Sequence, residues 1–271
     1  MTVSRPAAFD ARVLVIAPHM DDESLGCGVL LATHPRKDQA HVLIVTDGSL
    51  SPDDSKPDNG EARRFAATRE QEVRDALAVL GVPAANIALL GLPDGSLPAM
   101  GARLRAALTS HIQRLAPNSV FVPFRYDRHP DHLAVNRAVC DAKRAGDLEA
   151  AVFEYFVYSR WRLLSTGDVR DYLPSESLHR LQPGTASDIK RRALECHRSQ
   201  TTCFYPGQQR PVLSPELLDR VCAEPEAFLA YDPARDGRRG LARGRAWVPV
   251  AHVVEPVLKR WKDRLRPGAG A

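Results

Sequence analysis

What this chain lacks narrows it first. Its 271 residues include five cysteines (Cys27, Cys140, Cys196, Cys203 and Cys222) that are scattered, odd in number and without a CxxC pair. That excludes a secreted disulfide framework and a thiolate zinc site, and leads to the expectation of a reducing, cytoplasmic home. No apolar run approaches the ~20 residues that a membrane-spanning helix needs, and the opening MTVSRPAAFDAR has no apolar signal region. Neither a signal peptide nor a transmembrane helix is expected. A formal charge of +4 is too small to demand a nucleic-acid partner, although it permits anionic ligands. Internal repeats and low-complexity tracts are also missing. What remains is a chain with 44% hydrophobic residues, long enough to bury a large core without covalent support.

Apolar periodicity then gives an order of elements. The runs RVLVIA (12–17), HVLIVT (41–46), NIALL (86–90), SVFVPF (119–124) and AVFEYFVY (151–158) are short and largely β-branched or aromatic, as strands buried on both faces require. Between them lie helix-like stretches: SLGCGVLLATH (24–34), 61–80 with its stop at Gly81, 102–116 and 131–146. Strand and helix alternate, which predicts an α/β protein with a Rossmann-like, doubly wound, mostly parallel sheet and helices on both faces. Beyond Tyr158 the chain is less regular, and only 186–200 and 214–230 read as helices. We therefore expect a main domain over 1–200 and a C-terminal extension over 201–271 packed on it.

In open α/β sheets ligands gather beyond the carboxyl ends of the strands. PHMDDE (18–23) follows the first strand there, and RYDRHPDH (125–132) follows the strand at 119–124. Adjacent carboxylates repel, so a cation among them would explain the first cluster. His19 and Asp22 can share one divalent ion, and either His129 or His132 can supply a third ligand, the usual number for a catalytic zinc. A carboxylate left over can take a proton from water, and an imidazolium can steady an oxyanion or protonate a leaving amine. Such parts suit amide or ester hydrolysis. Asp131, ahead of a helical run, is also a good N-cap by type. Cys27 reads as a small packed hydrophobe. His34, His41, His111, His179, His197 and His252 have no comparable company and are taken as structural.

With these motifs in view, the chain resembles the PIG-L/LmbE-like family of zinc-dependent N-deacetylases, whose opening motif reads PHPDDE and whose later motif is HPDH. VTDGS (45–49), TREQEVRDALAVLGV (68–82), LGLPDGSL (90–97) and CHRSQ (196–200) follow the family pattern too, so the resemblance runs from about residue 10 to 200. It implies His19, Asp22 and His132 as metal ligands and Asp21 as the general base. It further implies His129 as the group that stabilises the oxyanion or protonates the amine, with Asp131 orienting His129. Arg69 and Asp94 are similar to positions that hold the sugar. The implied cofactor is Zn²⁺, with Fe²⁺ as an alternative, and the implied partner is a small acylated amino-sugar substrate. Met20 replaces the family's proline, which is expected to loosen the loop without removing a ligand.

Other readings fare less well. A nucleotide-binding oxidoreductase would need GxGxxG after the first strand, where this chain is strongly anionic. A sugar-binding protein without catalysis would not require Asp21 and His129 beside the ligands, which leaves a metal-dependent phosphoesterase as the nearest alternative. Near the C-terminus, Val254, Val257, Leu258, Trp261 and Leu265 share a helical face among Lys259, Arg260, Lys262, Arg264 and Arg266. A helix docked on the body is the simpler expectation, and contact with an anionic membrane surface is the sharper alternative. The basic run RDGRRGLARGR (235–245) could equally hold a phosphate.

Overall fold

The computed structural model describes residues 5–50, 59–158, 168–173, 177–204, 208–234 and residue 254. The sequence expectations for 235–245 and for the helix at 255–271 lie outside the described residues. Among the described residues seven strands form one sheet: β1 (Val13–Ala17), β2 (Ala40–Thr46), β3 (Ile87–Leu92), β4 (Ser119–Pro123), β5 (Ala151–Tyr155), β6 (Leu178–Leu181) and β7 (Glu226–Ala230). Their order is β3-β2-β1-β4-β5-β7-β6. The first five are mutually parallel, while β7 runs antiparallel to both β5 and β6.

Helices cover both faces: α1 (Asp22–Ala32), α2 (Asn59–Val79), α3 (Leu97–Leu115), α4 (Pro130–Ala145), α5 (Ala186–Cys196), the single turn α6 (Arg198–Thr201) and α7 (Pro215–Ala223). Alternation along β1 shows why the strand sequence is apolar throughout. Val13, Val15 and Ala17 join a core with Leu30, Val73 and Leu77 from α1 and α2, whereas Leu14 and Ile16 join one with Leu104, Leu108 and Val139 from α3 and α4. A strand with helices on both sides has no polar face to keep. No helix among the described residues is long and apolar enough to cross a membrane.

Two sequence expectations change here. The run 214–230 is not one helix: α7 ends at Ala223, and the chain re-enters the sheet as β7 after Pro225. Proline cannot donate the next helical hydrogen bond and disfavours helix in the residue before it. Glu224 accordingly takes φ −78° and ψ 148°. Since β7 sits between β5 and β6, the described part of the C-terminal stretch builds the sheet itself, and residue 200 marks no structural boundary. The short β6 is absent from the sequence expectations, because LHRL offers too few residues to show a period.

The sheet order also locates the site. From β1 the chain builds outward through β2 and β3, then returns to place β4 on the other side of β1. The loops leaving β1 and β4 therefore diverge at the switch point and leave a crevice between them.

Candidate metal centre and active site

The loop after β1 is tied down by its neighbours. Thr46 at the end of β2 donates to Pro18 O from both N (3.0 Å) and Oγ1 (2.8 Å), and Arg69 Nη2 on α2 donates to Met20 O (3.0 Å). Met20, expected to loosen the loop, is itself packed in the core with 2% exposure. His19 N donates to Asp22 Oδ2 (2.9 Å), so the loop closes on the first turn of α1. Asp21, between them, takes φ 157° and ψ −23°, a sparsely populated conformation of the kind that collects at functional sites.

His19 Nδ1 lies 3.1 Å from His132 Nε2, and Asp22 Oδ2 lies 3.2 Å from the first and 3.1 Å from the second. Around a tetrahedral ion with bonds of about 2.0–2.1 Å, neighbouring ligand atoms are about 3.3 Å apart. The triangle is thus close to one face of such a tetrahedron. The charges fit as well. Despite burial, Asp131, Asp22 and Asp94 raise the His19 pKa well above its usual value. Burial likewise opposes protonation of His132, but Asp22 and Asp127 push its pKa up to about 10. Asp22 moves the opposite way: burial would raise its pKa, yet His132 and His19 hold it well below the ordinary carboxylate range. These carboxylates create a field that favours added positive charge, and the donor set suits a divalent metal.

His132 Nδ1 sits 3.1 Å from Asp127 Oδ1, off the line of a hydrogen bond but close enough to fix the charge behind the ring. Asp127 also receives the His129 N–H at 3.0 Å. Sequence reading alone passes over Asp127. The available signal is its place inside RYDRHPDH, five residues ahead of His132.

Asp21 is 8% exposed, and Arg69 Nη2 stands 3.8 Å from its Oδ1. Burial dominates its titration and, with Arg69 opposing, its pKa rises to about 6. His129, at the N-cap of α4, accepts the Asp131 N–H at Nδ1 (3.3 Å), which leaves Nε2 to carry the proton of the neutral ring. Burial and the neighbouring His19 and His132 depress its pKa. Its ring centre is 4.4 Å from that of His19, and His19, His129 and His132 each offer an atom within 4.8 Å of the others.

Asp131 corrects two expectations. It is not the N-cap of its helix, since His129 occupies that place. Nor does its carboxylate orient His129: it accepts from Gly95 N (2.8 Å) and Leu97 N (3.1 Å) and contacts His19 Nε2 (3.2 Å). Two backbone donors at the start of α3 already supply what a carboxylate seeks, so the side chain turns toward α3 and His19. Asp94 backs the same ring, with Oδ1 3.2 Å from His19 Nε2 and Oδ2 3.9 Å from Arg69 Nη1. Asp47 of VTDGS holds the Asp94 turn by accepting its N–H (3.2 Å), a function that the motif alone does not disclose. Arg69 Nε is buried without a partner among the described residues, and so is a spare donor.

A cavity of about 850 Å³ is bounded by Leu25, Arg128, Tyr158, Arg210, Glu216 and Arg220 among others, and His19, Asp22 and His132 do not line it. The Tyr158 ring stacks 5.9 Å from that of His132 and joins the cavity to the cluster.

Comparison with known proteins adds to this geometry. Residues 14–143 match the PIG-L family, described as GlcNAc-PI de-N-acetylase. A Bacillus subtilis (strain 168) protein named as a probable N-acetyl-alpha-D-glucosaminyl L-malate deacetylase 2 is 29% identical over 225 residues, or 81% of this chain and 96% of that one. The conserved protein TT1542 from Thermus thermophilus superposes with a TM-score of 0.59 at 25% identity, covering 82% of this chain and 96% of that one. The N,N'-diacetylchitobiose deacetylase from Pyrococcus horikoshii shares the fold with a TM-score of 0.62 at 20% identity, over 86% and 88% of the two chains. The matched segment includes both PHMDDE and HPDH, and over residues 14–143 the chain is similar to the PIG-L family.

Proposed function

We propose that this protein is a metal-dependent hydrolase that removes an N-acetyl or N-acyl group from an amino sugar in a glycoconjugate, glycolipid or natural-product intermediate. The observation that carries the reading is the His19–Asp22–His132 triangle with Asp21 beside it, buried and not part of the triangle. His19, Asp22 and His132 would hold the ion, with Zn²⁺ favoured by two imidazoles and a carboxylate, and Fe²⁺ compatible with them. A bound ion supplies a Lewis acid and lowers the pKa of water.

The chain's own residues do the rest. Asp21 accepts the proton of the attacking water. A pKa raised toward neutrality makes a carboxylate a stronger base while leaving it largely ionised at pH 7. His129, with its proton on Nε2, donates to the oxygen that gains charge as water adds to the amide carbon. The proton held by Asp21 passes to the departing nitrogen as the C–N bond breaks, which regenerates the carboxylate and releases the free amine and acetic acid, which ionises to acetate. Asp131 steers His19, and Arg69 and Asp94 hold the sugar, with Arg69 Nε as an open donor. The rest of the conjugate would lie in the adjoining cavity. The Bacillus relative is named for an acetylated glucosamine carrying malate, which supports this substrate class. The five scattered cysteines, with no CxxC pair among them, support a reducing compartment such as the cytoplasm.

Metal-loaded protein incubated with N-acetylated amino-sugar conjugates and with phosphate esters tests the reading by mass spectrometry, with metal quantified in the same preparation. Equimolar acetate and free amine, both lost on chelation, are expected. Phosphate release, or no product from either panel, would overturn it.

A further inference from the structure

The CHRSQ segment is the one sequence motif that the site described above leaves unused, although its His197, Ser199 and Gln200 are buried. His197 breaks the path between α5 and α6 with φ −77° and ψ 63°, and is 1% exposed. Its Nε2 is 3.4 Å from both Ser24 Oγ and Glu23 Oε1. Ser24 Oγ donates to Glu23 Oε1 at 2.7 Å, and Glu23 Oε2 accepts the Asp21 N–H at 3.1 Å. His197 is therefore linked through one carboxylate to the peptide that sets the unusual backbone of Asp21.

The same segment reaches the other wall of the site. Ser199 donates to Glu72 on α2 from N (2.8 Å) and Oγ (2.6 Å), and Gln200 Nε2 donates to Ser199 Oγ (3.0 Å). Glu72 lies one helical turn beyond Arg69, which donates to Met20 O and faces Asp21 and Asp94. Two buried carboxylates, Glu23 and Glu72, are thus held from one short segment. Apolar side chains would cement α1 and α2 to α5 at lower desolvation cost, so polar anchoring here calls for a reason beyond packing. Directional bonds fix orientation in a way that apolar contact does not.

We propose that His197 and Ser199 are positioning residues with separate duties: His197, through Glu23, sets Asp21 for proton transfer, and Ser199, through Glu72, sets Arg69 for holding the sugar. The proposal rests on the deacetylase reading. It explains why one segment contacts both α1 and α2 behind the cluster.

The test is a split between kcat and KM, with rates expressed per folded, metal-loaded molecule. His197→Phe keeps the volume and removes the polar contact, and about a 10-fold fall in kcat at unchanged KM and metal content is expected. Ser199→Ala should raise KM by about 10-fold at unchanged kcat, and Ser199→Thr, which restores a hydroxyl, should recover most of it. Should either variant fail to fold, His197→Gln and Glu72→Gln are milder probes of the same two limbs. A packing role alone would lower the melting temperature and leave both constants as in the wild type, and that result overturns the proposal. So does any result in which both limbs move the same constant. An inactive wild type would instead refute the deacetylase reading and take this proposal with it, whereas an active wild type whose variants do not split refutes the positioning roles alone.

Discussion

Two buried groups of charge meet α1, one at its start and one against its middle, and they are built on opposite principles. At the start, His19, Asp22 and His132 crowd within 3.1–3.2 Å of one another, and the surrounding carboxylates draw the histidines toward protonation. Against the middle, Lys190 Nζ donates to Glu226 Oε1 and to Leu25 O, both at 2.7 Å. Glu226 also accepts from Val29 N (2.7 Å) and Leu30 N (2.9 Å). The second group pairs charge with charge and takes over helix donors and an acceptor, so its charges are balanced within the protein. The first is incomplete within the protein. Burial alone does not mark a site; unbalanced burial does.

The glycines of α1 belong to the closed group. A Cβ at Gly28 would stand 2.8 Å from Lys190 Cγ, and one at Gly26 would overlap Tyr155 Cδ2. The GCG step is thus space for two side chains, and Tyr155 uses that space to donate to Ile16 O (3.0 Å) at the end of β1.

Substitution should separate the two groups most widely at the first. Asp21→Asn should retain stoichiometric metal and lose about 10²–10⁴-fold in kcat, the usual contribution of a positioned base. His19→Ala or His132→Ala should lose the metal itself, and activity with it. Full activity in Asp21→Asn, with rates and metal measured on one preparation, would remove the base assignment. At the second group the order of effects inverts. Lys190→Met leaves the Glu226 carboxylate buried without its cation and should cost about 3–5 kcal/mol in a urea melt, while metal content and kcat per folded molecule stay unchanged. Adding Glu226→Gln, which removes the stranded charge but keeps an acceptor for α1, should return part of that loss. If Lys190→Met instead emptied the metal site, the two groups would be one network.

A finer probe lies between them. Asp127 contacts His132 from behind and is not itself part of the triangle. Asp127→Asn should weaken metal affinity about 10–100-fold without abolishing binding, measured by competition with a chelator. Unchanged affinity would make Asp127 a loop anchor for the His129 peptide only.

How legible these groups are in the sequence depends on what encodes each. PHMDDE and HPDH are readable because charge at a strand end is conspicuous, and the alternating order of elements puts both at the same edge. Lys190 and Glu226 are invisible: a lysine within KRRALEC and a glutamate within EPEAF look like solvated residues, and only the long-range pairing of β7 with β5 brings Glu226 under α1. That pairing is equally hidden from a reading of 214–230 as a single helix, although Pro225 stands in the way. Asp131 fails differently. Its position is legible, but its direction is set by two N–H groups at α3, which no local pattern reports.

Met20 offers the smallest and most discriminating change, because two effects oppose there. Its φ is negative, and its N–H makes no backbone hydrogen bond among the described residues, so Met20→Pro loses no backbone partner. Fixing the loop should contribute about 0.4–1 kcal/mol by narrowing the unfolded chain. Against that, the side chain is 2% exposed and part of the core that includes Val15 and Val73, with its sulfur against the place a Cβ on Gly48 would take. Removing most of a buried methionine costs about 2–5 kcal/mol, and the proline ring refills only part of the space. Packing should therefore win, with a net loss of about 1–2 kcal/mol in denaturant melts, while metal content and kcat hold. A more stable Met20→Pro protein would mean that the loop gains more from rigidity than the core gains from Met20.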